Sequence, residues 1–172
     1  MTPSPHASLS LRMAAPEDAP VLFELIQALA AYEKLSDAVT GNATELAAHL
    51  SGDRPLVEAI VAEVAGQAVG FALFFTNYST FLTKPGIYLE DLFVQPDYRR
   101  LGIGKALLGY LAAIAQTRQC GRLEWSVLDW NSPAIAFYER IGATVLPDWR
   151  ICRVTGGAIA TLAEQKPDAP QP

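Results

Sequence analysis

Glu90 and Asp91 stand side by side in an otherwise apolar run, Tyr88-Leu-Glu-Asp-Leu-Phe-Val94. Such a run reads as a buried strand, and buried carboxylates need partners or a cation. In a regular strand the two face opposite sides, so one can meet a ligand while the other anchors structure. A solvated strand edge is the alternative. Pro96 and Asp97 end the run, and Arg99-Arg-Leu-Gly-Ile-Gly-Lys105 follows, with two glycines one residue apart. Lys105 to Arg118 then carries apolar residues at helical spacing. A strand feeding a glycine turn at a helix start is an anion site: free backbone N–H groups point outward and the helix dipole favours negative charge.

Three patterns compete for that anion. A phosphate-binding G-x-x-x-x-G-K-[ST] loop fails, because Ala106 follows Gly104-Lys105 and Arg99 stands where the first glycine belongs. A dinucleotide G-x-G-x-x-G fails at Leu107, and the unit comes late in the chain. The third, R-x-x-G-x-G from Arg99, Gly102 and Gly104, lets consecutive N–H groups with Arg99 or Arg100 hold a pyrophosphate. A tight ligand-free turn stays open beside it.

The elements that must position these residues follow from pattern. Residues 9–13 alternate as a first strand, after a loose tail over 1–8. Pro16-Glu-Asp18 opens a helix to about Glu33, with Leu22, Leu25, Ile26, Leu29 and Tyr32 on one face. A loop over 35–42 and a short helix over 44–50 come next. Strands over 57–64 and 68–77 flank the turn Ala65-Gly-Gln67 as a hairpin. A loop over 79–86 leads into the acidic strand. Residues 122–128 read as a strand, and Asn131-Ser-Pro133 starts a helix that Gly142 ends. A strand over 150–155, a short helix over 156–165 and a loose tail over 166–172 complete the chain. The order predicts an α+β fold, one domain over 9–165, with a mixed sheet that is antiparallel early and parallel around the central strand. Ligands bind where parallel neighbours splay, beside strand C-termini, and the glycine turn lies at one.

Composition excludes several classes. The 172 residues suffice to bury a core without staples. A net charge of −5 argues against nucleic acid as partner and suits a cationic one. Cys120 and Cys152 make neither a disulfide framework nor a zinc site, so no metal is expected and a reducing cytoplasm is the natural compartment. No apolar run reaches the roughly 20 residues of a membrane span, and no signal-peptide pattern opens the chain. His6 lies in the tail, and His49 reads as a surface or packing residue.

The acidic strand, its R-x-x-G-x-G turn, the preceding hairpin and the later Asn131-x-x-Ala134-x-x-Phe137-Tyr138 helix resemble the GNAT superfamily of acetyl-CoA-dependent N-acetyltransferases, from about Leu9 to about Gln165. Ala31-Tyr32-Glu33, Tyr88-Leu-Glu-Asp91, Asp97-Tyr98-Arg99, Val127-Leu-Asp-Trp-Asn131, Gly142-Ala143 and Trp149 narrow the resemblance to the diamine acetyltransferases. The run Leu128-Asp-Trp-Asn131 looks more like the thialysine enzyme than the spermidine one. The loop from Ala143 to Trp149 is shorter than in the animal enzymes; it lies near the amine pocket in that family, so the substrate is not carried over.

Acetyl transfer from a thioester to an amine must hold the cofactor, orient and deprotonate the amine, stabilise the oxyanion and protonate the leaving thiolate. The resemblance implies that Arg99, Arg100, Leu101, Gly102, Ile103, Gly104 and Lys105 hold the pyrophosphate of acetyl-CoA. It implies that the backbone of Leu92, Phe93 and Val94 meets the pantetheine amides, at the splayed end of the central strand. Asn131, Ala134 and Phe137 are further cofactor contacts, Asn131 doubling as a helix cap. The resemblance makes Tyr138 the candidate general acid, a role open to it because a tyrosine of pKa about 10 is protonated at neutral pH; its alternative is a core aromatic, a part that Phe137 can take on the other side. An alkylamine is mostly protonated at neutral pH, so Glu90 is the candidate base, directly or through water. Tyr32, Glu33, Glu90, Asp91, Trp125, Asp129 and Asp148 are the candidate amine-binding residues. Cys120 sits at a helix end, where the dipole disfavours a thiolate, so direct transfer in a ternary complex is expected over an acyl-cysteine. The resemblance implies a homodimer. The alternatives are a non-catalytic CoA-binding regulator and an enzyme acting on a protein amine.

Overall fold

The computed structural model describes residues 8–166. The expected tails lie outside them except for Ser8 and Lys166, as does His6. Two compact units divide after Ser126.

In the first unit the strands are β1 (Leu9–Met13), β2 (Glu58–Val64), β3 (Gln67–Ser79), β4 (Lys84–Val94) and β5 (Leu123–Trp125). The helices are α1 (Ala19–Tyr32), α2 (Ala43–His49) and α3 (Ile103–Thr117). Sheet order is β1-β2-β3-β4-β5. The first four strands are antiparallel, and β4 and β5 are parallel. The mixed sheet expected from the element order is therefore present.

Local chemistry explains the joins. Ala65 and Gly66 both have positive φ (52° and 77°), the requirement of a two-residue hairpin turn matched to strand twist. The Asp18 carboxylate takes both the Ala15 N–H at 2.7 Å and a two-pronged bond from Arg12, which also grips Glu63 on β2. That network ties β1, β2 and the start of α1 together, and Arg12 holds the Asp18 carboxyl below its usual range. Asn42 caps α2 through its side chain, accepting from Glu45 N–H at 2.9 Å. Arg118 at the end of α3 forks onto Glu58 of β2 at 2.6 and 2.7 Å.

Each face of the sheet buries one helix. On the first, Leu22, Leu25 and Leu29 of α1 pack on Ala59, Val61, Phe71, Leu73 and Phe93. The alternate residues Ile60, Ala62, Ala72 and Phe74 are buried toward the other face. There α3, with Ile103, Leu107 and Leu111 buried, packs against β2, β3 and β4.

Three boundaries differ from the sequence reading. The loop expected over 79–86 is mostly strand: Ser79 pairs with Lys84 and Tyr78 with Pro85, leaving a turn over 80–83. Pro85 and Gly86 suggested a loop, but Gly86 is buried where a Cβ would run into Asn77 Oδ1. The strand expected over 122–128 shrinks to Leu123–Trp125. The strand expected over 150–155 is absent, since β-branched residues without a partner strand leave their backbone groups no ladder to join.

The second unit, described over 127–166, holds α4 (Ser132–Arg140) and α5 (Gly157–Ala163). Asn131 caps α4, its Oδ1 accepting from Ala134 N–H at 3.3 Å, and Pro133 occupies the first turn. Gly142, at φ 95°, closes it: Gly142 N–H bonds the Glu139 carbonyl and Ala143 N–H the Tyr138 carbonyl, the left-handed glycine cap expected from the sequence.

Candidate active site

Between β4 and α3 the chain makes a short 3-10 turn over Pro96–Tyr98, then a loop in which Arg100 (φ 64°) and Gly102 (φ 81°) both adopt positive φ. Nothing would obstruct a Cβ at Gly102, so the backbone angle rather than space selects glycine there. Gly102 is the N-cap of α3 and offers no capping side chain. The first intrahelical bond runs from Ala106 N–H to the Gly102 carbonyl at 2.9 Å. The N–H groups of Ile103, Gly104 and Lys105 precede that bond and so have no intrahelical acceptor, the condition under which a helix start can take an anion.

The second feature is in β4. Its pairing with β5 covers only Ile87, Tyr88 and Leu89. Beyond Leu89, β4 remains paired with β3 through Val94 and has no ladder on the β5 side. The strands splay there, leaving peptide groups of Glu90 to Val94 able to bond a ligand that carries amides.

A β-bulge sits at the point of splay. Phe74 opposes Leu89 and Leu73 opposes Asp91, so Glu90 is the inserted residue. This corrects the strict alternation expected of Glu90 and Asp91. The bulge resets the phase: Leu89 lies on the α3 face, whereas Asp91 joins Leu73, Phe93 and α1. Glu90 is exposed and Asp91 half-buried. Burial, then the neighbouring charges of Glu90 and Glu33, push the Asp91 pKa up from 3.8 to about 6. Burial also raises Glu33, at the C-cap of α1. Three carboxylates thus share one electrostatic neighbourhood, a place for a cation.

Arg99 does not extend freely from its turn. Its Nε donates to the Val94 carbonyl at 3.0 Å. Its guanidinium lies 4.3 Å from the centre of the Tyr32 ring and 5.8 Å from that of Phe93. Tyr32 therefore meets the turn, a contact that sequence spacing did not reveal. Tyr88 is a residue to which the sequence assigns no site role. It stacks on Phe75 at 5.3 Å and its hydroxyl lies 2.6 Å from Ser126 Oγ, on the face that carries Asp91. Trp125, expected to wall the amine pocket, pairs with Leu89, so the register puts it on the opposite, α3 face.

In the second unit, Asn131, Ala134, Phe137 and Tyr138 fall on one stripe at helical spacing, all half-buried. The Phe137 and Tyr138 rings lie 5.4 Å apart, so burial does not divide them into one core and one site residue. Asp148 lies on an exposed stretch and Asp129 just before the α4 cap. Among the described residues no group of three or more acidic, His or Cys side chains is arranged to hold a metal.

Comparison with known proteins matches the elements just described. The model of the Acetyltransferase (GNAT) family matches residues 24–143. The L-ornithine N5-acetyltransferase NATA1 of Arabidopsis thaliana is 33% identical, over 94% of this chain and 91% of its own length. The thialysine N-epsilon-acetyltransferase of Bos taurus is 36% identical, over 91% of this chain and 98% of its own. Among solved structures, an integron cassette protein from the mobile metagenome of V. cholerae superposes with a TM-score of 0.76 at 26% identity, covering 92% of this chain and 99% of that one. The chain belongs to the GNAT acetyltransferase family and carries its fold. It is an acetyl-CoA-dependent N-acetyltransferase. The site fits that cofactor on its own geometry: positive-φ residues open the anion-binding helix start, and a splayed strand end stands ready for amides.

Proposed function

We propose that this enzyme acetylates a primary amine of a small cationic substrate, a diamine, polyamine or lysine-like amino acid, by direct attack in a ternary complex. The observation that carries this reading is the half-buried Asp91 at the splay of β4, whose pKa is raised in part by the charges of Glu90 and Glu33. The relatives named for ornithine and thialysine act on substrates of that chemistry, which supports it.

Bound acetyl-CoA supplies a thioester, whose carbonyl carbon is open to attack by an uncharged amine. The backbone from Arg99 to Lys105, with Arg100, holds the pyrophosphate. Leu92, Phe93 and Val94 hold the pantetheine amides, and Asn131, Ala134 and Phe137 line the cofactor from α4. Asp91 and Glu33 take the ammonium groups, with Tyr32 beside them. Glu90, exposed in its bulge, accepts the proton that the attacking nitrogen must lose, directly or through water. Tyr138 gives its hydroxyl proton to the departing sulfur.

In this reading one catalytic domain covers 9–165 and works as a homodimer in the cytoplasm. No described helix is long and apolar enough to cross a membrane, and both cysteines are free thiols, which suits a reducing compartment. Light scattering coupled to size exclusion tests the dimer.

The test of function is a steady-state assay with acetyl-CoA across ornithine, a lysine analogue, spermidine and a neutral amine. Turnover should favour the cations. Tyr138→Phe should lower kcat at least about 100-fold while CoA affinity stays nearly unchanged. Normal turnover in that variant would remove Tyr138 from the acid role.

A further inference from the structure

Arg99 occupies the position of the turn that the resemblance assigns to the cofactor, yet its side chain is spent on the protein itself. Its Nε–H bonds the last carbonyl of β4 at Val94, which closes the loop from the strand end to the turn. Its guanidinium lies over the Tyr32 ring at the C-terminus of α1, with the Phe93 ring farther off. The next residue, Arg100, holds φ at 64°, a left-handed conformation disfavoured for a residue with a Cβ. Arg99 is its immediate neighbour, and Tyr32 is the nearer of the two rings that Arg99 meets. Tyr32 is itself 39% exposed, so it is not held there as a core residue.

We propose that Tyr32 is a positioning residue for the cofactor turn, and that the Tyr32–Arg99 contact couples the two substrates. The last turn of α1 presents one side chain to each: Tyr32 reaches the turn through Arg99, and its neighbour Glu33 faces Asp91 electrostatically. A cation drawn to Glu33 and Asp91 fixes the end of α1, and through Tyr32 it fixes Arg99 and the strained backbone beside it. Cofactor affinity therefore depends on a residue that lies on the amine side. This rests on the assignment of the turn to CoA made above.

CoA binding by titration calorimetry, without any amine, tests it independently of turnover. Tyr32→Leu should weaken CoA about three- to fivefold, the range of a partly exposed cation–π contact, and Tyr32→Phe should leave it unchanged. In an Arg99→Ala background, Tyr32→Leu should have no further effect. Arg99→Lys keeps the charge, loses the planar stack and disturbs no apolar contact of α1, so it should reproduce the loss even where Tyr32→Leu folds poorly. Adding a cationic amine should tighten CoA in the wild type and not in Arg99→Lys. Unchanged CoA affinity in both Tyr32→Leu and Arg99→Lys, or equal losses from Tyr32→Leu in both backgrounds, would overturn the coupling while leaving the acetyltransferase reading intact. A wild-type chain that binds no CoA would overturn the assignment of the turn, and the coupling with it.

Discussion

Strand β4 behaves as two different objects on either side of Glu90. From Ile87 to Leu89 it is paired on both edges, and Ile87 and Leu89 are wholly buried. From Asp91 to Val94 it is paired on one edge only, and a carboxylate takes the place of an apolar residue on the α1 face. The first half is framework. The second has backbone groups to offer a ligand and negative charge to offer a cation. The bulge that separates them costs the sheet one residue of regular pairing and turns the acid pair toward a common neighbourhood. Binding groups begin where the ladder to β5 ends.

Substitutions on the two halves should therefore fail in different ways. Leu89→Ala, in the doubly paired half, should cost about 2–5 kcal/mol of stability, read as a fall in the urea midpoint, with amine KM preserved in the folded fraction. A specific loss of amine binding with normal stability would break the comparison. Asp91→Asn should act in the opposite direction. An acid whose native pKa lies above its unfolded value holds its proton more tightly when folded. Its destabilising effect is absent below about pH 4, grows between about pH 4 and 6, and is complete above that. The variant should thus gain up to about 3 kcal/mol at pH 7.5, less for the part of the side chain that water reaches, and nothing near pH 4, while its amine KM rises. Equal stability at both pH values would show that Asp91 is not the strained member of the trio. Gly102→Ala should be milder, about 1 kcal/mol of backbone strain, appearing as a severalfold loss of CoA affinity with little change in amine KM.

If a cation binds the ionised Asp91, amine KM should fall as pH rises from 5 to 7, and this dependence should shrink in Asp91→Asn. A pH-independent KM in the wild type would place the cation elsewhere.

Much of this was legible in the residues. The hairpin at Ala65-Gly66, the Asn131 cap, the glycine stop at Gly142 and the glycine turn all rest on local backbone chemistry, and each formed where expected. The bulge was not legible, because no residue type marks an inserted position and period-two counting runs straight through Glu90. The face of Trp125 was not legible either, because it is fixed by the register partner Leu89. The missing strand over 150–155 failed differently: its composition suits a strand, but strand formation needs a neighbour, which composition cannot supply. The Tyr32–Arg99 contact joins residues far apart in the chain, and nothing in their spacing hints at it.

The most direct test of the central claim is the rate of amine-dependent CoA release by Glu90→Gln beside the wild type, with CoA affinity measured on both. Glu90 is exposed, so the exchange should leave folding and CoA binding intact. If the unpaired end of β4 is where the amine loses its proton, kcat/KM for a diamine or lysine-like acceptor should fall at least about 100-fold. A variant that turns over at the wild-type rate would contradict the account.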